Sequence, residues 1–176
     1  MSLLAFAPLL LLQAATDAPA PPPPLPPPPA GAPYAVPGED AVDPYVADNA
    51  NAGATPFRGT GMADAFHGKE GIQRIVDGFV TRNYADPVIG EIFEGHDKIR
   101  LRRTLFEQFC YILNAGCAYT GRDMQSSHKD LGTQHGDMNR LVENLQKAMA
   151  EEGVSFPAQN RFLAKLAPMR KDTVDR

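Results

Sequence analysis

The chain has 176 residues, with 17 Lys and Arg set against 21 Asp and Glu for a formal net charge of −4. That acidic balance lacks the electrostatic footprint of a nucleic-acid binder. The length allows one or two domains, but the first third holds little that can bury a core, so one compact domain is expected in the remainder.

Residues 1–15 contain an apolar stretch about as long as a secretory h-region, ending in small residues. It falls short of the roughly 20 apolar residues a membrane span needs, and no Lys or Arg precedes it. The segment is read as a signal peptide, which would export the protein to the periplasm or beyond. A misassigned start or a short hydrophobic tail on a cytoplasmic protein is the alternative. Residues 16–60 follow as a Pro- and Ala-rich linker, with the run PAPPPPLPPPPAGAP at 19–33. Proline locks φ and removes a backbone donor, so this arm is expected to be a polyproline II spacer or disordered. The folded domain is assigned to residues 61–176.

Within that domain, Ile72, Ile75, Val76 and Phe79 recur at steps of three and four, predicting a helix over about 70–84 with one apolar stripe. Asp86-Pro87 reads as a helix start, with Asp as N-cap and Pro in the first turn, leading toward Ile92 and Phe93. After a break at 94–97, residues 98–113 are apolar on more than one side, at Leu101, Leu105, Phe106, Phe109, Ile112 and Leu113. A helix held between a core and a ligand has this pattern. An irregular stretch and a short helix near His128 come next. Helical spacing then resumes at Met138, Leu141, Val142 and Leu145, and a last helix starts at Ser155 and runs through Phe162, Leu163, Leu166 and Met169. No alternating strand pattern competes, so the fold class is all-α.

The basic cluster Lys98, Arg100, Arg102 and Arg103 reads as a solvated helix face, with the anionic edge of a cofactor a better reason for basic residues than nucleic acid. Cys110 and Cys117 match no zinc-finger or CxxC spacing. An exported chain would allow them to pair, and a cytosolic one would keep them as buried thiols.

The run Tyr119-Thr120-Gly121-Arg122-Asp123-Met124-Gln125-Ser126-Ser127-His128 ends in a histidine placed to bind a metal. Neutral imidazole is the commonest metal ligand among side chains, and haem iron is often held by one proximal histidine. Flanked by apolar Met124 and Leu131, His128 is expected to present one nitrogen into an apolar slot while the other donates to the backbone.

Together with His67-Gly68-Lys69-Glu70-Gly71-Ile72, Asp77-Gly78-Phe79, Ala85-Asp86-Pro87 and Phe93, that run resembles the truncated haemoglobins of group I, over essentially the whole domain. The resemblance implies a two-over-two helical sandwich around haem b. One pair would join the helices over 70–84 and 98–113, and the other the helices holding Leu141 and Leu163. His128 would be the iron's proximal ligand, and Phe93 the phenylalanine that packs flat on the haem. Phe79, Val80, Leu101, Leu105, Phe109, Tyr119, Met124, Leu131 and Met138 would surround the rest of the cofactor. Of the other histidines, His67 is expected at the surface and His135 at a helix start. His96 is weighed between a loop residue in solvent and a contact to a haem propionate or the iron.

Two departures from the family bear on function. Group I members usually carry a tyrosine after the phenylalanine aligned with Phe79, whose hydroxyl donates to bound oxygen, and often a glutamine where this chain has Leu105. Val80 and Leu105 cannot donate. Losing such a hydrogen bond is expected to speed oxygen release roughly ten- to a hundredfold. Gln108 is the candidate replacement, ahead of Thr104, Tyr84 and Tyr111.

The expected function is reversible binding of oxygen, nitric oxide or carbon monoxide, with an unidentified reductase as partner and no nucleic acid or membrane span. A haem enzyme for nitric oxide dioxygenation or peroxide reduction is the alternative, weakened by the missing donors. A third reading, an interaction protein that has lost haem and recruits an SH3-like or wall-associated partner through its arm, requires His128 to be idle.

Overall fold

The computed structural model describes residues 34–174, and every regular element among them is helical. The expected signal peptide and the Pro-rich run at 19–33 lie outside the described residues. No helix among those described is long and apolar enough to cross a membrane.

A short helix α1 (Gly61–Ala65) leads through a sharp turn into α2 (Gly68–Ala85). His67 makes that turn with a left-handed φ of 59°, where Gly68 follows with φ 66°. His67 is tied down on the outside, since its Nδ1 lies 3.2 Å from Glu152, which also pairs with Arg74. Gly71 is required by packing, because a Cβ there would run into the carbonyl of Phe66. The expected apolar stripe of α2 is the centre of the core, with Ile72, Ile75, Val76, Phe79 and Val80 all buried.

Asp86 ends α2 and accepts from the backbone of Val88 at 2.9 Å, so the Asp-Pro signal marks a turn. The short α3 (Gly90–Phe93) starts directly after that turn. Asp97 then caps α4 (Lys98–Ile112), accepting from the backbone of Ile99 and Arg100. Asp123 does the same for α5 (Met124–His128) through Ser126. In α6 (His135–Glu151) Asp137 reaches back to the Gln134 amide at 2.9 Å. Helix α7 (Phe156–Leu166) gives way to a 3-10 turn at Ala167–Met169, where Pro168 cannot continue the helical ladder, and α8 (Arg170–Thr173) closes the domain.

Helix α2 packs on both α4 and α6, and α6 packs on α7. At the centre, the Phe162 ring meets Phe66 and Phe109 edge-on at 5.2 and 5.0 Å. A polar knot joins α2 to α6. Asn144 donates to Asn83 and Asp86, and Arg140 pairs with Asp86, holding that carboxyl at about 2. Cys110 of α4 is bonded to Cys117 in the following loop.

Residues 34–60 correct the expectation of a disordered linker reaching to 60. From Glu39 onward this stretch is a strap laid across the helices. A 3-10 turn at Asn49–Ala52 is capped by Asp48, and Ala52 is fully buried. The strap binds the loop before α5 at four places, one of them a bond that Arg122 donates to the carbonyl of Asp43 at 2.8 Å. Asn49 accepts from the backbone of Tyr119 at 2.8 Å, Tyr45 donates to the carbonyl of Thr120 at 2.8 Å, and Asn51 donates to that of Gly121 at 3.2 Å. Its Glu39 carboxylate is buried between Arg103 and Arg100. Hydrogen bonds from side chains to backbone order this stretch, and composition and periodicity do not register them.

Candidate functional site

The fold leaves a cleft between α2, α4, α5, α6 and the C-terminal helices. It consists of a cavity of about 450 Å³ and an adjoining one of about 230 Å³. Phe93, Leu101, His128, Met138 and Leu141 line both, so His128 stands on a wall common to the two. The larger one falls in the roughly 300–1,000 Å³ range of ligand sites. Its walls are mostly apolar.

Each residue assigned to the cofactor can now be placed. Phe79, Phe93, Leu101, Leu105, Phe109, Met124 and Met138 line the larger cavity together with His128, and Leu131 lines the smaller one. Val80 and Tyr119 line neither. Val80 points into the core with no exposure at all, and Tyr119 is buried behind the loop that carries it. The Tyr119 hydroxyl donates to the carbonyl of Arg122 at 2.9 Å, and burial pushes its pKa up. A Cβ at position 121 would collide with the Tyr119 ring, so Gly121 serves this crossing, and the Tyr-Thr-Gly-Arg run shapes the approach to α5.

His128 is held in one orientation. Its Nδ1 lies 2.7 Å from the carbonyl oxygen of Met124, one turn back. A carbonyl only accepts, so Nδ1 carries the proton and Nε2 keeps a lone pair. Burial lowers the His128 pKa, against a smaller opposing effect of that hydrogen bond, so the neutral form persists. A neutral imidazole whose other nitrogen is hydrogen-bonded to a backbone carbonyl is the donor a haem iron uses. The apolar walls and this single imidazole fit a haem, with His128 to hold the iron and Phe93 among the residues that would face the macrocycle.

The basic cluster on α4 does not face the cleft. Arg103 pairs with Glu39 and Glu107 and donates to Thr120, and Arg100 pairs with Glu39 and bonds the carbonyl of Asp40. Arg102 lies 3.4 Å from Asp77, and Lys98 sits over the Tyr84 ring. These cations fasten the strap and neighbouring helices, and none lines the cleft.

Gln108 does line the larger cavity, but its amide is directed at the strap. Nε2 donates to the carbonyl of Ala52 at 2.9 Å and lies 3.3 Å from the Met124 sulfur. The Thr104 hydroxyl bonds back to the carbonyl of Arg100, and Tyr84 donates to that of His96. Neither Tyr84 nor Tyr111 lines the cleft. Sequence reasoning missed Asn83, one turn beyond Phe79 on the same face of α2, whose carboxamide oxygen accepts from Asn144. It also missed Thr133, in a polar stretch without periodicity, and the contribution of Met169, Arg170 and Thr173 at the C-terminus.

The model of the family described as bacterial-like globin matches residues 62–175. A group 1 truncated hemoglobin of Chlamydomonas moewusii is 31% identical over 90 residues, spanning 50% of this chain and 53% of that protein. One from Nostoc commune is 26% identical over 109 residues, spanning 62% of this chain and 92% of the relative. Among solved structures, the truncated hemoglobin of Tetrahymena pyriformis in its Fe(III) form superposes with a TM-score of 0.62 at 21% identity, covering 65% of this chain and 98% of that one. A 2/2 hemoglobin from a Synechococcus species, solved in the cyanomet state with covalently attached heme, gives a TM-score of 0.60 at 20% identity over the same shares.

Proposed function

The chain belongs to the bacterial-like globin family, as a group I truncated type, and is thus a haem-binding globin; we propose that it binds oxygen or another diatomic gas reversibly on haem b. The observation that carries this reading is His128, with Nδ1 committed to the Met124 carbonyl and Nε2 left to ligate beside an apolar cavity. When bound, haem would supply an iron, held by His128, that can take up oxygen, nitric oxide or carbon monoxide.

The chain's own residues set how that position behaves. Leu101 and Leu105 present only hydrocarbon to the cavity. Gln108 and Asn83 bring amides to its wall, but the strap and α6 engage them. A carrier follows, with little hydrogen bonding to hold the gas and fast release. Turning over nitric oxide or peroxide calls for a donor preorganised at the reacting atoms, whereas the Gln108 amide nitrogen is directed at the strap and Asn83 meets α6 through its carboxamide oxygen. The reading also calls for a reductase to keep the iron ferrous. The Cys110–Cys117 bond supports an oxidising compartment, hence export.

The test is spectroscopic. Protein reconstituted with haemin should show a Soret band that shifts on reduction and again on carbon monoxide addition, and His128→Ala should abolish or greatly weaken it. An unchanged spectrum in that variant would sink the ligand assignment. Slow oxygen release in stopped flow would show that a donor reaches the gas and that the apolar reading of the pocket is mistaken.

A further inference from the structure

We propose that Thr133, with His96 facing the same cavity, holds a carboxylate of the bound haem, so that this chain anchors the cofactor's anionic edge with a neutral hydroxyl and an imidazole in place of Arg or Lys. The proposal rests on the haem-binding reading above and assigns two residues to it.

Three observations carry it. Thr133 is buried, only 7% exposed, and its hydroxyl has no hydrogen-bond partner although the residue lines the smaller cavity. A buried hydroxyl without a partner is uncommon in folded proteins and points to a group that binds there. Second, His96 lines the same cavity and is fixed at its backbone, its amide donating to the Phe93 carbonyl at 3.2 Å and its carbonyl accepting from Tyr84 at 3.0 Å. Third, no Arg or Lys is among the residues that line the smaller cavity. Arg100, Arg102 and Arg103 pair with acidic residues off the cleft. Arg170 lines the larger cavity and donates to the His135 carbonyl and to Asn139 at 3.1 Å each.

The one acidic residue on the smaller cavity, Asp137, does not oppose this. Its carboxylate is turned to the Gln134 amide that begins α6, 2.9 Å away. A carboxylate entering the cavity would therefore meet Thr133 Oγ1 and His96 as donors. Hydrogen bonds to a charged acceptor are the stronger kind, which suits an anchor without a formal charge of its own.

The test compares haem transfer from the full-length, haem-loaded protein to excess apomyoglobin, followed by the Soret change. Thr133→Val should lose haem about tenfold faster than the unsubstituted protein. Thr133→Ser, which keeps the hydroxyl, should restore the original rate, and His96→Leu should accelerate loss on its own. Loading with the dimethyl ester of haemin removes the free carboxylates, and with it Thr133→Val and the unsubstituted chain should release at the same rate. Equal rates with haemin, or a faster rate for Thr133→Val that persists with the ester, would overturn the proposal. Failure of the unsubstituted chain to take up haemin would overturn the haem-binding reading itself, which is a distinct result.

Discussion

At the end of the cleft nearest Gln108, a segment from before the first helix crosses α4 and the loop leading to α5 and bonds to each. At the end nearest His96 and Thr133, loop 129–134 closes the cleft, with Asp130 and Gly132 turning left-handed at φ 63° and 65° and the Thr133 hydroxyl lacking a partner. The first end is backed by contacts between residues far apart in sequence, such as Ala52 with Gln108. The second is closed by a local turn. One cleft therefore has a fixed apolar end and an end with polar groups free to meet a ligand, with His128 on the wall they have in common.

The contrast is open to attack from the strap side. Glu39→Ala would leave the guanidinium groups of Arg103 and Arg100 without the buried carboxylate between them. It should destabilise the domain by about 3 kcal/mol in urea unfolding. A loss under about 1 kcal/mol, the range of an exposed pair, would mean that the strap does not clamp. Gly53→Ala comes next. Gly53 has φ 79°, and a Cβ there would crowd the Met169 side chain at 2.9 Å and that of Met124 at 3.2 Å. A cost of about 2 kcal/mol is expected from the left-handed backbone and the crowding together. The smallest effect belongs to the other end. Asp130→Gly relieves a left-handed residue but frees the unfolded chain, and the two offset to within about 0.5 kcal/mol. A larger loss there would show that the loop is as tightly built as the strap.

Much of the helical domain could be read in the sequence. The stripe of Ile72, Ile75, Val76 and Phe79 is one side of the core, and the two-sided pattern of residues 98–113 corresponds to a helix with the core on one side and the cleft on the other. The strap was not legible, because Tyr45, Asn49 and Asn51 work through single bonds to distant backbone groups. Val80 stands where the family resemblance puts a pocket tyrosine, and its short side chain is instead buried in the core. The α4 cations looked available to an anionic ligand because their partner Glu39 lay in a segment taken for a linker. Thr133 carried no signal at all, since an unpartnered hydroxyl is a property of the assembled fold.

The strap also has a consequence for the order of events during folding. Its hydrogen bonds from Ala52 to Gln108, Tyr45 to Thr120 and Asp43 to Arg122 close sequence separations of 56, 75 and 79 residues. Closing loops of that length is entropically unfavourable until both ends have a surface to meet on. The α2–α6 contacts from Asn83 to Asn144 and from Arg74 to Glu152 close separations of 61 and 78 residues, so strap docking and α2–α6 packing face the same entropic cost, whereas α2 meets α4 through nearer residues such as Phe79 and Phe109. The strap is therefore expected to settle onto α4 in the same late stage in which α6 settles onto α2, with the α2–α4 pair as the surface on which both are built.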